Sequence, residues 1–255
     1  MTVPEVFVAH DAASLSDAVA ARLVTSIVDH QAAAGHVTVL VGGDPLALGV
    51  LAAVAASPAR DAIDYEHIDL WWTNDAWAAT DDPTRASTRA EAILSGTGLS
   101  AAALHPVPGP AESRDPGEAA EQYAAALSAA REVDDHGALP GIDILVLGMG
   151  ADGSVAGISP EQPAAHEVRA VTAVPGSGHR GPQVTLTLPA LAAADEAWVV
   201  ASGEASSAVV HLALSRAGPV QVPAAGVRGR QRTLVFLDDG AAKRLPASMR
   251  RIASP

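Results

Sequence analysis

The chain has 255 residues, of which 49% are hydrophobic but only 3% aromatic, so we expect a sizeable core built mainly from aliphatic side chains. The formal net charge of -13 disfavours binding to nucleic acid or to an anionic membrane surface. The sequence contains no cysteine, which excludes disulfides and thiolate metal sites.

The N-terminal sequence has no basic segment followed by an apolar one, so we expect no signal peptide. No apolar run approaches the roughly 20 residues that a membrane-spanning helix needs. We therefore expect a soluble, cytoplasmic protein that binds neither nucleic acid nor membranes.

The first half of the chain alternates apolar strands with helices. After a short strand, apolar residues recur at helical spacing up to Gly35, and Ser14 or Ser16 is the expected N-cap of this helix. A β-branched strand then stops at a glycine pair, and Pro45 begins the next helix. The strand HIDLWW follows, and after it come a polar loop and a helix to Leu94.

The second half continues this alternation. Its predicted helices are EAAEQYAAALSAAR and EASSAVVHLAL, and its predicted strands are GIDILVLG, EVRAVTAV, QVTLTLP, EAWVVAS and RTLVFLD. Almost continuously apolar strands that alternate with helices are typical of a buried parallel sheet. The sequence therefore predicts an α/β fold, a single domain over residues 1–255 with a central, mostly parallel sheet flanked by helices.

Three loops follow strands of this predicted sheet, at residues 42–45, 73–89 and 148–160. We expect them at one edge, because open parallel sheets bind ligands beyond the carboxyl ends of their strands. The first loop offers backbone amides and a helix N-terminus to an anion. In a simpler structural interpretation, its glycines only turn the chain and Asp44 only caps the helix.

The motifs favour neither a metal nor a nucleotide. The nine histidines form no HxxxH or HxH pair, so we predict no metal and no cofactor. GMGADG matches G-x-G-x-x-G, but the short βαβ unit and the acidic residue about 20 positions on are missing. Ser154 does not lie in a G-x-S-x-G nucleophile elbow, which favours a turn residue or an N-cap.

Taken together and in order, blocks spread over nearly the whole chain resemble the 6-phosphogluconolactonase family. IDLWWTNDAWAATDDPTRAST is similar to a segment that usually contains W-G-D-E-R-x-V-P, and LGMGADGSVAGISP is similar to L-G-M-G-x-D-G-H-x-x-S-L-F-P. The other similar blocks are VGGDPLALGVL, VTLTLPAL, VASGEASSAVV and VQVPAAGVRGRQRTLVFLDDGAA. The resemblance implies the fold of the glucosamine-6-phosphate isomerase/6-phosphogluconolactonase superfamily.

The resemblance also implies an activity. Enzymes of this family hydrolyse 6-phospho-D-glucono-1,5-lactone to 6-phosphogluconate, in the oxidative pentose phosphate pathway, without a metal. A histidine in the G-x-D-G-H turn is the implied general base, and arginines and a lysine are the implied phosphate ligands. These residue types suit the chemistry, since the base must titrate near neutral pH and the phosphate is a dianion.

The chain departs from this pattern where the chemistry would occur. Ser154 stands in place of the histidine, while Ala76, Gln183 and Ser206 stand in place of cations. Asn74 and Asp75 replace Asp and Glu, and Gly157 and Ser159 replace Ser and Phe. Loss of a general base costs roughly 10²–10⁴-fold in rate. The resemblance therefore implies a homologue with weak or lost lactonase activity that binds a sugar phosphate, a sugar acid or a smaller anion weakly.

The candidate site consists of residues in these loops and blocks. The candidate catalytic residues are Ser154, Asp152 and Asp75. The candidate ligand-binding residues are Gly42, Gly43, Asp44, Asn74, Arg85, Gly150, Gly153, Arg180, Gln183 and Ser206.

Two other functions stay open. The first is a true lactonase that recruits Arg85, Arg89 or the pair His179 and Arg180 for the missing groups, although solvated surface cations are the more ordinary interpretation of these residues. The second is a non-catalytic role, as a sugar- or anion-binding paralogue, as a protein partner of an active enzyme, or as a homo-oligomer. Exposure of Trp72 and Trp77 would favour a protein partner, and burial would weaken that hypothesis.

Overall fold

Strands and helices alternate through the computed structural model, which describes residues 2–131, 139–176, 181–215 and 217–252. Its elements are β1 (Glu5–Ala9), α1 (Ala12–Ala34), β2 (Val37–Val41), α2 (Pro45–Ala56), β3 (Ile68–Trp72), β4 (Asn74–Ala76), α3 (Ala86–Leu94), β5 (Leu104–His105), α4 (Pro116–Ala129), β6 (Ile144–Gly148), β7 (Val171–Val174), β8 (Gln183–Leu186), α5 (Leu188–Leu191), β9 (Glu196–Ala201), α6 (Ser207–Leu214), β10 (Arg232–Asp238) and β11 (Arg251–Ile252). Short 3₁₀ turns join several of them.

Eight strands form one sheet in the order β11-β1-β10-β9-β6-β2-β3-β5. Every neighbouring pair in it is parallel. The central strands β2 and β6 are buried at all of their positions, as expected for strands covered on both faces. The predicted α/β fold with a mostly parallel central sheet is confirmed.

Hydrophobic clusters lie on both faces of this sheet, because successive side chains of a strand point to opposite faces. In β2, Leu40 belongs to one cluster while Val39 and Val41 belong to the other. Leu127 of α4 lies in the cluster of Leu40, whereas Leu48 of α2 lies in that of Val39. Each fully buried aliphatic side chain contributes about 1.5–3 kcal/mol to folding, so the helices are fixed on the sheet mainly by apolar burial.

A second, three-stranded antiparallel sheet was not predicted. Its order is β4-β8-β7, and β4 lies within the segment predicted to be a polar loop. Asn74 pairs with Thr185, and Ala76 pairs with Gln183. A strand of three residues is too short to show an alternating pattern, and its partner lies more than 100 residues further along the chain. This small sheet brings two separated candidate segments side by side.

The ends of α1 are set by one predicted residue and one that was missed. Gly35 ends the helix with φ 80°, in the left-handed conformation that glycine adopts without strain, as predicted. The expected N-cap at Ser14 or Ser16 is wrong, because Asp11 caps the helix and accepts a hydrogen bond from the Ser14 amide at 2.8 Å.

None of the described helices combines the length and the apolar character that crossing a membrane requires.

The end of β3 is fixed by a buried tyrosine. The Tyr123 hydroxyl accepts from the Trp72 amide at 2.8 Å and donates to the Trp72 carbonyl at 3.0 Å. Burial raises the pKa of Tyr123, so the hydroxyl stays protonated and keeps both roles at neutral pH. Trp72 directly precedes the segment that forms β4, so this clamp holds the start of that segment.

We expect Tyr123→Phe to lower the free energy of unfolding by about 1–3 kcal/mol, because it leaves a buried amide and carbonyl without this partner. The matched control is Tyr65→Phe, since the buried Tyr65 hydroxyl has no hydrogen-bond partner among the described residues. Urea unfolding should show little change in the control. Equal losses in the two variants would mean that the clamp contributes nothing specific.

Candidate functional site

The loops after β2, β3 and β6 meet at one cleft, as their positions in the sequence predicted. Gly43, Asn74 and Gly150 line it from these three sides, and Gln183 at the start of β8 lines it from the small sheet. The cleft has a volume of about 480 Å³. A site of this size accommodates a small organic molecule such as a sugar.

The Asp44 carboxylate is used to build the cleft wall. One oxygen accepts from the amides of Leu46 and Ala47, both at 3.0 Å, and the other accepts from the Gly148 amide at 2.8 Å. A Cβ atom on Gly148 would lie 1.9 Å from this carboxylate, and one on Gly42 would lie 2.3 Å from it. Asp44 therefore acts as a helix cap and a structural link, as the simpler structural interpretation predicted. The close approach of its carboxylate explains why residue 42 is a glycine.

Two side-chain amides cross the cleft. Asn74 Oδ1 accepts from the Gly43 amide at 3.1 Å and from the Thr73 hydroxyl at 2.9 Å. Asn74 Nδ2 donates to Gln183 Oε1 at 3.2 Å. A Cβ atom on Gly157 would lie 2.6 Å from that same Gln183 oxygen, so a glycine is needed there. The Gly43 amide is thus already hydrogen-bonded to Asn74. The uncharged pair of Asn74 and Gln183 occupies the positions where the resemblance implies Asp and Arg.

Asp75 is buried beneath the cleft wall and does not line it. Its carboxylate accepts from the amides of Ala76 at 2.9 Å and Ala86 at 2.6 Å. It also accepts from the Ser87 hydroxyl at 2.5 Å and from Arg85 Nε at 3.3 Å. Because Ala86 and Ser87 begin α3, Asp75 caps that helix from a distant segment. Its placement fits a positioning role rather than the predicted catalytic one.

Arg85 fits neither of its predicted roles. It is 2% exposed, so it is not a solvated cation, and it does not line the cleft. Its remaining donors bond the carbonyls of Ala78, at 3.2 Å, and Val107. Arg89, one turn further along α3, does line the cleft and donates to the Gly43 carbonyl at 3.2 Å. Among the described residues, the hypothesis of a true lactonase that recruits other cations therefore depends on Arg89 and not on Arg85.

Ser154 lines the cleft on the turn after β6. Its amide donates to Asp152 Oδ1 at 3.0 Å, which makes Asp152 a turn-forming residue that lies outside the cleft lining. The Ser154 hydroxyl has no hydrogen-bond partner in the described part of the chain, so no described group activates it. Gly153 in this turn has φ 85°, and a Cβ there would lie 2.7 Å from Val209. Gly153 therefore shapes the turn instead of contacting a ligand.

The other candidates lie away from the cleft or outside the described residues. Ser206 is buried at the start of α6, and its hydroxyl donates to the Ser202 carbonyl at 2.9 Å. Arg180 and His179 lie outside the described residues. Of the histidines that the structure describes, none lines the cleft. The described residues also contain no group of three or more His, Asp or Glu side chains arranged to hold a metal ion.

Comparison with known proteins agrees with this geometry. The family model described as "Glucosamine-6-phosphate isomerases/6-phosphogluconolactonase" matches residues 10–236. The chain belongs to this family. The family resemblance found in the sequence is thereby confirmed, and residues 10–236 include every candidate site residue.

Individual members of the family resemble the chain along most of its length. A Streptomyces coelicolor protein named 6-phosphogluconolactonase is 44% identical over 252 residues, which cover 96% of each chain. The Mycobacterium tuberculosis protein of that name is 34% identical over 233 residues, 89% of this chain and 92% of that protein. The solved 6-phosphogluconolactonase structure from Trypanosoma brucei has a TM-score of 0.82 at 19% identity and covers 96% of this chain and 100% of that one. At this identity the structural likeness shows the shared fold.

Sequence analysis of this family member did not separate Arg85 from Arg89. Both lie in the loop predicted over residues 73–89, and nothing in their spacing shows which of them faces the cleft. Arg85 directly precedes α3 and turns towards Asp75, while Arg89 lies within the helix. The spacing of four residues places both on one side of a helix, but only the bond to Asp75 shows that Arg85 is sequestered.

A substitution at Asp75 separates a positioning role from a catalytic one. Asp75→Asn should lower the free energy of unfolding by about 3–5 kcal/mol, because it leaves the buried Arg85 guanidinium without its counter-ion. Asp81→Asn in the same loop is the control, since Asp81 is exposed. Chemical denaturation measures both. An Asp75→Asn variant of unchanged stability would contradict the positioning role.

Proposed function

We propose that this chain is an impaired homologue of the 6-phosphogluconolactonases. It keeps the cleft of the family but hydrolyses 6-phospho-D-glucono-1,5-lactone at least roughly 10²-fold more slowly than a member with histidine at the Ser154 position. One observation carries the proposal: the Ser154 hydroxyl lines the cleft without a hydrogen-bond partner among the described residues, and no described histidine accompanies it there.

Hydrolysis of a lactone explains why a base matters. Water attacks the ester carbonyl carbon, a proton leaves the attacking water, and the ring ester bond breaks to give a carboxylic acid and a hydroxyl. A group that accepts the proton during attack contributes roughly 10²–10⁴-fold. A serine hydroxyl does not accept a proton at neutral pH, so this cleft holds the lactone without that contribution.

Binding of the phosphate is weakened as well. Arg89 is the one cationic side chain that lines the cleft within the described ranges, and the Asp44 carboxylate lies in the same lining. The net charge of -13 adds no attraction for a dianion. Each missing charge-assisted contact removes roughly 1.5–3 kcal/mol of binding.

Exposure of Trp72 and Trp77 would have favoured the alternative role as a protein partner, but neither side chain is exposed. Trp72 is fully buried, and Trp77 lines the cleft, where its indole N–H donates to the Ser113 hydroxyl at 2.8 Å. Neither tryptophan offers the exposed aromatic surface on which that hypothesis depended. The lactone-binding cleft therefore remains the better-supported proposal.

Restoring the base tests the proposal directly. Ser154→His should raise the turnover of 6-phospho-D-glucono-1,5-lactone by roughly 10²-fold, after subtraction of the spontaneous reaction. Ser154→Ala is the matched control, and its kcat at saturating lactone should be unchanged, because the serine hydroxyl accepts no proton during attack.

Two results would contradict impairment. Wild-type turnover equal to that of a family member with the histidine would show that another base acts, and His179→Ala would be the next variant to assay. A loss of activity in Ser154→Ala would make the serine itself catalytic.

We expect 6-phosphogluconate to bind with a millimolar dissociation constant at best, about 4 kcal/mol. Titration calorimetry at low salt measures it, and Arg89→Ala should weaken binding further, whereas Arg114→Ala should not, since Arg114 lies outside the cleft lining. A micromolar dissociation constant for the wild-type protein, with binding lost in Arg180→Ala, would instead support the hypothesis that other cations replace the missing phosphate ligands.

A further inference from the structure

The charged side chains along the cleft balance each other. Among the described lining residues, only Arg89 and Asp44 carry charge. Arg89 bonds the carbonyl of Gly43, the residue directly before Asp44, so the two charges lie on the same short stretch of wall. Opposite charges that lie close together largely cancel at a distance. An anionic ligand therefore gains little from the described wall as a whole.

The uncharged polar groups of the cleft are not all used by the protein. Gln183 accepts at Oε1, but its Nε2 has no partner in the described part of the chain. The hydroxyls of Ser154 and Ser159 also line the cleft without hydrogen-bond partners among the described side chains and backbone. An amide N–H donates, and a hydroxyl both donates and accepts. These groups match the hydroxyls of a sugar, which also do both.

The remaining wall is apolar. Trp77, Val155 and Ala156 line the same cleft. Ligand sites commonly combine such apolar surface with a few polar groups that fix orientation. The C–H faces of a sugar ring supply the matching apolar surface, and a phosphate group does not.

We propose that the cleft selects an uncharged, polyhydroxylated ring, such as an unphosphorylated aldono-1,5-lactone, over the same ring carrying a 6-phosphate. The specificity-determining residues are Asn74 and Gln183, whose amide pair crosses the cleft without charge. The inference rests on the proposed function in placing the ligand in this cleft, but it concerns binding and not turnover.

D-glucono-1,5-lactam and its 6-phosphate test the selectivity by titration calorimetry at low salt. The lactam is an uncharged analogue of the lactone and does not hydrolyse under assay, so the result is independent of whether the chain is catalytically impaired. Wild-type protein should bind the lactam at least tenfold more tightly than the lactam phosphate. Equal or tighter binding of the phosphate, or no measurable binding of either compound, would overturn the proposal.

Substitutions that add a charge then test which residues determine the preference between the lactam and its phosphate. Gln183→Arg adds one positive charge to the cleft wall and should raise the affinity ratio of phosphate to lactam at least tenfold, because the guanidinium supplies charge-assisted donors to the phosphate. Gln221→Arg, at an exposed position outside the cleft lining, is the control for added positive charge and should leave the ratio unchanged. An equal shift in both variants would refute the role of the amide pair. The wild-type comparison stands even if Gln183→Arg does not fold.

Discussion

The Asp44 carboxylate joins two of the elements on which the cleft is built. It caps α2 through the amides of Leu46 and Ala47, and it binds the Gly148 amide at the end of β6. A charged acceptor with three backbone donors is a strong, directional connection in a partly buried place. It forces glycine at Gly148, where any Cβ would collide with it. The close approach of Asp44 therefore explains why glycine stands at Gly42 and Gly148.

Asp75 and Arg85 act in the same way beneath the opposite wall. Their buried ion pair, together with the bond from the Ala86 amide, fixes where α3 begins and so where Arg89 faces the cleft. Removing one partner of such a pair is strongly destabilising. The groups that hold the walls are charged, while the groups that face the ligand space are largely neutral. The charges of Asp44, Asp75 and Arg85 thus serve the fold.

The amide pair extends this argument. An arginine at the Gln183 position opposite Asn74 would be a partly buried cation without a counter-ion, and an aspartate opposite Gln183 would be a partly buried anion without one. Asn74 and Gln183 instead form a neutral hydrogen bond at 3.2 Å, from Asn74 Nδ2 to Gln183 Oε1. A neutral residue at one of the two positions therefore favours a neutral residue at the other.

How far the sequence predicts this structure depends on the range of the interaction. Apolar periodicity indicated the main strands and helices, because burial on one or two faces leaves a local pattern. The pairing of β4 with β8, the sequestering of Arg85 by Asp75 and the Asn74–Gln183 bond were missed, because their partners are distant or their register is not encoded locally. Three loops at one sheet edge were predictable from topology alone. Which side chains within them face the cleft was not.

The candidate position for a catalytic base and the residues that set the charge preference of the cleft lie on different elements. Ser154 lies on the turn after β6, whereas Asn74 and Gln183 belong to the small sheet, and no hydrogen bond joins these side chains in the described structure. A base contributes to proton transfer during attack, whereas the charge of the wall contributes to ligand binding. A base placed at Ser154 therefore acts on turnover and leaves the preference for charge to the amide pair. A base at Ser154 and a cation at Gln183 would thus change different properties of the cleft, the first its turnover and the second its affinity for phosphate.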